Sequence, residues 1–129
     1  MHIRKDEIPV KIDAPGAIAR QATEFGDASR FGLLGAEYFS LRAGTDIAPL
    51  LQGLDGDACH APHWGYMISG EVVVTYTDGT DETCGGSDLF HWPPGHSIRV
   101  VDDAEIILFS PQLEHSQVID HMLAKMAGA

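Results

Sequence analysis

The feature that most limits how this chain can fold is a series of short apolar runs between Tyr66 and Ser110, each ended by turn residues. Valine and tyrosine in the first run favour extended structure. Asp78-Gly79 lies between two extended runs and is typical of a tight hairpin. Short strands with turns about every 8–12 residues predict an antiparallel sandwich or barrel rather than a parallel α/β sheet. The runs are YMISGEVVVTY at 66–76, LFHW at 89–92, SIRVV at 97–101 and EIILFS at 105–110.

The segments on either side of this β-rich block have other patterns. Residues 1–35 are interrupted by proline and glycine, which predicts an extended, irregular N-terminal arm. The stretch 36–44 predicts a strand and a turn, and 46–57, which contains Pro49, predicts a loop with at most one helical turn. Residues 113–126 predict a C-terminal helix that packs on the β domain or on a partner subunit. Its apolar face consists of Val118, Ile119, Met122, Leu123 and Met126.

Length and composition indicate one globular domain over residues 1–129, since 44% of the residues are hydrophobic. A formal net charge of −11 argues against nucleic acid and anionic lipid as partners. No apolar run is long enough to span a membrane. Only two cysteines occur, Cys59 and Cys84, and the N-terminus lacks the apolar core of a signal peptide. We therefore expect a cytoplasmic protein with reduced thiols.

Two motifs resemble those of the cupins. The first is HWGYMISGE, a strand that ends at Gly70, and the second is GSDLFHWPPGHS, in which Asp88, Pro93 and Gly95 fall in the register of the second cupin motif. The PHWGY and PPGH stretches are similar to those of a group of short bacterial cupins. The resemblance implies an all-β antiparallel jelly-roll barrel over 36–110 with a C-terminal α-helix. It also implies a homodimer.

The chain departs from the ligand pattern that metal-binding cupins carry. His63 stands where the family has a glutamate, and Cys59-His60 stand in place of its paired histidines. The histidine of the second motif would fall near Ile98, whereas His96 directly follows PPG. The usual set of three histidines and one carboxylate is therefore not present intact.

The resemblance places 59–63 and 91–96 on neighbouring strands at one mouth of the barrel. His63 and His96, with His60 and Cys59, are the candidate ligands of a divalent transition metal such as Zn, Fe, Ni or Mn, and a thiolate would favour Zn. Packed histidines bonded to backbone carbonyls explain the same pattern equally well. We interpret His115 and His121 as packing residues of the helix.

Residues near these histidines are candidates for a small-molecule pocket. The aromatic side chains suit an apolar wall, and an inward arginine would bind an anionic group, although core packing and a surface position explain them as well. The pocket candidates are Trp64, Tyr66, His91, Trp92 and Arg99.

The residues leave the function open between classes. One is a metal-dependent enzyme on a small polar substrate, and another is a ligand-binding or sensor module without catalysis or metal. A third is a structural subunit whose barrel is filled by side chains.

Overall fold

The structure is a computed structural model that describes residues 5–24 and 32–128. Antiparallel strands dominate it, and a single long helix follows them. The strands are β1 (Val10–Ala14), β2 (Ala17–Ala22), β3 (Leu34–Leu41), β4 (His63–Tyr76), β5 (Asp81–Gly85), β6 (Leu89–Trp92) and β7 (His96–Pro111). The α-helices are α1 (Ala48–Leu51) and α2 (Gln112–Met126), and short 3-10 turns cover Lys5–Glu7 and Asp55–Asp57. None of the helices in these segments has the length and apolarity needed to cross a bilayer.

The sheet is organised around one long antiparallel pair, β4 with β7. The strand order is β1-β2-β3-β7-β4-β5, and β6 pairs with β4 beside it. On its other side, β4 pairs with β6 through its first residues and with β5 through its last. Both halves of β4 therefore have neighbours on two sides, as in a jelly roll.

The β4–β7 pair bends back on itself. His63 begins β4, whereas His96 lies opposite Tyr76 at the far end of that strand. A straight strand of 14 residues would be more than about 40 Å long. The rings of His63 and His96 nevertheless lie with centroids 4.8 Å apart. The bend coincides with register shifts in β4 between Met67 and Val72, because bulges of this kind increase local twist.

Gly70 lies within this bend and has no room for a side chain. Its φ is +86°, and a Cβ atom there would lie 2.2 Å from the carbonyl oxygen of Asp103 on β7. Only glycine combines this backbone angle with so close an approach of two strands.

The inward sides of the strands share one core, and α2 closes a second cluster against it. The first contains inward residues of β3 to β7, among them Met67, Val72, Trp92, Ile98 and Ile106. The second joins α2 to the β1–β2 hairpin and α1: Ile12, Ala19, Leu51, Cys59, Ala61, Val118, Ile119 and Met122. The helix therefore packs on the β domain of its own chain, one of the two alternatives predicted from its apolar face.

Most predicted elements are confirmed, but two predicted strands are joined into one and the N-terminal arm is more regular than predicted. LFHW forms β6, the Asp78-Gly79 turn joins β4 to β5, and the C-terminal helix begins one residue earlier than predicted. The segments 97–101 and 105–110 form one strand, since Asp102 between them pairs with Glu71 of β4 and the ladder continues past a register shift.

The N-terminal arm is not irregular where the structure describes it. Residues 10–22 form a hairpin turned at Pro15-Gly16, and β2 pairs with β3 in the main sheet. Residues 1–4 and 25–31 of the predicted arm lie outside the described residues.

We expect Gly70→Ala to lower the free energy of unfolding by at least about 3 kcal/mol, because it adds a steric clash to backbone strain. Gly79→Ala is the matched control, since Gly79 has a φ of +89° but nothing within 4 Å of the added Cβ. The control variant adds only the backbone strain of a positive φ, and urea unfolding should show that its free energy of unfolding falls by about 1 kcal/mol. Equal losses in the two variants would show that the close approach at Gly70 is not a constraint.

Candidate metal centre

His63 is held at the first position of β4 with its ring facing the core. Side chains alternate along a strand, so His63 and Met67 point inward and are buried, while Trp64 between them points outward. The Nδ1 atom of His63 lies 2.6 Å from the hydroxyl oxygen of Ser110, near the end of β7.

A buried hydrogen-bond chain determines which nitrogen of His63 carries the proton. The Ser110 hydroxyl donates its only proton to Glu37 Oε1 at 2.6 Å, because a carboxylate only accepts. The oxygen of Ser110 must then accept a hydrogen bond from Nδ1–H of His63. This leaves the lone pair on Nε2, which lies 3.6 Å from Sγ of Cys59. The side chain of Gln21 donates to the other carboxylate oxygen of Glu37 at 3.2 Å.

His96 presents its ring to the same point from the other end of the ladder. It begins β7 directly after the PPG turn, and its Nδ1–H donates to the carbonyl oxygen of Pro93 at 2.8 Å. Its Nε2 atom is therefore the unprotonated nitrogen. His96 is 2% exposed, so this nitrogen faces the protein interior rather than bulk water.

Cys59 is fixed beside His96 by backbone hydrogen bonds. Its N–H donates to the carbonyl oxygen of His96, and its own carbonyl accepts from the N–H of Gly95, both at 2.8 Å. The ligand atoms of Cys59, His63 and His96 all lie within 4.8 Å of one another, and all three side chains are buried. Two imidazoles and a thiol at this spacing are a donor set that transition metals bind.

A second group of buried polar side chains adjoins the first through His63. Glu37, His63 and His115 also have ligand atoms within 4.8 Å of one another. Nδ1 of His115 lies 2.5 Å from Glu37 Oε2, but the two atoms are not aligned as a hydrogen bond. Sequence reasoning missed Glu37, Ser110 and His115 and interpreted the last as packing.

Burial sets the protonation of the first group. The pKa of His63 is well below its ordinary value of 6.5, mainly because burial disfavours the charged ring and secondarily because of the neighbouring histidines. Burial likewise lowers the pKa of His96 to about 4, although its hydrogen bond to Pro93 opposes this. Both rings are neutral at pH 7, as metal ligation requires. Burial raises the pKa of the Cys59 thiol to about 12, so the thiol keeps its proton until a cation or base displaces it.

The structure separates the remaining predicted site residues. His60 is half-buried and belongs to neither group of candidate ligands in the described residues. Trp92 is buried and lines an internal cavity together with Cys59, His63 and His96. Strand alternation turns the other pocket candidates outward: Trp64, Tyr66, His91 and Arg99 are exposed and do not line that cavity. Trp64 and His91 stack on each other there, with ring centroids 4.7 Å apart.

The comparisons with known proteins establish the fold and no more. No family model matches the chain, and no curated protein matches it. Among solved structures, a variant of oxalate decarboxylase from Bacillus subtilis has a TM-score of 0.59 at 22% identity. The match covers 83% of this chain but only 28% of the enzyme chain.

Two solved structures are matched over most of their own length. Ectoine synthase from P. lautus has a TM-score of 0.60 at 14% identity, covering 87% of this chain and 78% of that one. KdgF from Halomonas sp. has a TM-score of 0.55 at 20% identity, covering 84% and 92%. These structures are cupins, and this chain has the same antiparallel β fold with a C-terminal helix.

We expect the metal-free protein to lose about 3 kcal/mol of stability through His96 alone as pH falls from 6.5 to 4. The unfolded chain takes up a proton on this histidine near pH 6.5, whereas the folded ring stays neutral until about pH 4. The contribution is therefore present above pH 6.5 and is lost below it. Urea unfolding in EDTA across this range measures the effect.

The variant His96→Gln should show a correspondingly shallower fall in stability than the unsubstituted chain. Gln52→Ala replaces an exposed side chain that does not titrate and should leave the shape of the pH profile unchanged, which makes it the control. Parallel profiles for the unsubstituted chain and His96→Gln would contradict a buried neutral ring at this position.

Proposed function

We propose that this protein binds one divalent transition-metal ion through Cys59, His63 and His96 and uses it to hold a small molecule in the adjoining cavity. The observation that carries the proposal is that ligand atoms of two imidazoles and one thiol lie within 4.8 Å of one another at the cavity wall. Each imidazole is already the tautomer that a ligand must be, since its Nδ1–H is engaged elsewhere. Sulfur and nitrogen donors together favour zinc over harder ions such as manganese.

The surrounding residues support metal binding by fixing the ligands. Ser110 and Glu37 hold the His63 ring in the way that hydrogen-bonded carboxylates hold histidine ligands at known metal sites. Cys59 has to release its proton to bind, so metal affinity should rise with pH. An ion held by these three ligands would have a coordination position free and would supply Lewis-acid polarisation of an oxygen group of the bound molecule.

A metal-free ligand-binding protein is the alternative function, and one observation favours it. The Nδ1 atoms of His63 and His96 and the Cys59 thiol all have partners within the protein. A buried cluster that is satisfied in this way needs no ion to be stable. The small molecule would then contact the histidines directly, without catalysis.

Zinc titration of the untagged, EDTA-treated protein separates these two functions. We expect one ion per chain by calorimetry, and loss of tight binding in His63→Ala and His96→Ala because each removes a ligand. Cys59→Ser should abolish the thiolate-to-metal charge-transfer absorption of the cobalt-loaded protein. Ser110→Ala should weaken zinc binding about 10- to 100-fold by releasing the His63 ring.

His60→Ala is the matched control for the titration, since it removes an imidazole from the same loop but not from the cluster. It should bind zinc like the unsubstituted chain. If the unsubstituted chain takes up no stoichiometric zinc, cobalt, nickel, iron or manganese, the metal proposal is wrong and the metal-free alternative is left.

We also propose that the protein is a homodimer that pairs through the outer face of its sheet. Exposed apolar side chains lie next to one another on neighbouring strands of this face, including the cross-strand pairs Trp64–Phe109 and Tyr66–Leu89. Leu89 is 84% exposed, an unusual position for leucine in a patch with two aromatic neighbours. A second copy is the favoured occupant because a sheet face can pair with itself about a two-fold axis. The outer-face patch consists of Trp64, Tyr66, Ile68, Leu89 and Phe109.

We expect Leu89→Glu and Phe109→Glu to convert the dimer to a monomer in sedimentation velocity, because each buries a charge in the interface. Val10→Glu introduces the same charge at a 45% exposed position on β1, at the other edge of the sheet, and should stay dimeric. Since each chain carries a net charge of −11, dimerisation should strengthen as salt screens the repulsion. A monomeric unsubstituted chain would contradict the proposal.

A further inference from the structure

The candidate metal ligands form one wall of an internal cavity of about 200 Å³. The β1–β2 hairpin, β3, β7 and α2 supply most of the other walls. Apolar side chains dominate the lining, among them Ile12, Phe39, Leu41, Ile98, Val118 and Met122. No lysine or arginine occurs among the described residues that line it.

The size of the cavity limits its occupant. An apolar cavity of about 150 Å³ is large enough for benzene, so one of 200 Å³ holds roughly eight to ten non-hydrogen atoms. This is a single ring or a short branched chain with one substituent.

The lining limits the chemistry of the occupant. A polar group placed against Ile12, Ile98 or Met122 would lose its hydrogen bonds to water without replacing them, which costs free energy. The buried polar side chains of the lining are Cys59, His63, His96 and His115, so a polar group is tolerated only beside them.

The entrance disfavours anions. Of the lining residues, Pro15, Asp46 and Met126 are exposed and mark where the cavity reaches solvent. Asp46 and the net charge of −11 repel a carboxylate or phosphate, and no basic side chain in the described lining would pair with one.

We propose that the cavity binds a small, neutral, predominantly apolar molecule with one oxygen donor group, oriented with that group towards His63 and His96. The apolar body occupies the space between the sheet and α2. This inference deepens the proposed function and rests on it for the orientation of the oxygen group. It differs from the small polar substrate of the enzyme alternative that the sequence left open.

A matched set of probes tests the proposal by methyl NMR on metal-free and zinc-loaded protein. Benzyl alcohol has the expected shape, toluene lacks its oxygen, and erythritol has the same number of non-hydrogen atoms but is polar throughout. We expect saturable shifts at Ile12, Ile98, Val118 and Met122 with benzyl alcohol and none with erythritol. Zinc should tighten the binding of benzyl alcohol relative to toluene.

Two variants that fill the cavity test its location. Val118→Phe and Ala19→Leu, both at lining positions, should weaken benzyl alcohol binding by at least about tenfold because they occupy its space. Val101→Phe is the matched control, since Val101 is 37% exposed and does not line the cavity. Zinc binding in all three variants should be unchanged, which shows that the fold and the ligands are intact.

The outcomes distinguish the two levels of the proposal. Equal binding of erythritol and benzyl alcohol, or no binding of either, overturns the apolar ligand class even when zinc binds as proposed. Saturable benzyl alcohol binding that zinc leaves unchanged relative to toluene supports the ligand class and overturns its orientation. If the protein takes up no zinc, the proposed metal function fails, and the metal-free titration still decides the ligand class.

Discussion

The arrangement of this protein depends on the bend in the long β4–β7 pair. The two strands pair along almost their whole length. His63 and His96 therefore lie at opposite ends of the paired segment. Only because the ladder folds back at its bulges, where Gly70 packs against the backbone of Asp103, do the two rings come together. The same bend encloses the apolar core, whereas Ser110 meets His63 through the register of the ladder, next to the Trp64–Phe109 pair.

The polar interior follows from this geometry. Parts of the chain that are distant in sequence contribute to this polar interior. Glu37 comes from β3 and Cys59 from the loop before β4, His63 and His96 come from the β4–β7 pair, and His115 comes from α2. A buried carboxylate is costly unless it is bonded. Glu37 is bonded on both oxygens, by Ser110 and by Gln21, and this fixes the proton on His63.

Local patterns predicted most of the fold but only part of the site. Turn residues and β-branched runs identify strands β4 to β6, and the spacing of apolar residues identifies the helix, because those signals lie within a few residues of each other. Asp102-Asp103 separates the runs 97–101 and 105–110 in the sequence as a turn would, but a bulged strand tolerates the same polar residues. The hairpin at Pro15-Gly16 was interpreted as irregular, although the same residues favour a tight turn.

The sequence pattern indicated which way the missed site residues face, but it did not indicate which residues they contact. Glu37 has the parity of the buried Leu41 on β3, and His115 lies on the helical face of Val118, Ile119 and Met122. Periodicity therefore indicated that both face inward. Their meeting depends on the pairing of β3 with β7, where Glu37 lies opposite Leu108, and no short-range pattern specifies that register.

The proposed metal ligands and the cavity-lining residues of α2 lie on separate elements, which has a consequence for how the shape of the cavity can change. All three proposed ligands stand on the sheet or on the loop beside it, whereas α2 contributes Val118, Ile119 and Met122 to the lining of the cavity. Substitutions along one helical face would reshape the chamber while the ligands keep their positions. A change of cavity shape confined to α2 would thus leave the proposed metal ligands in place.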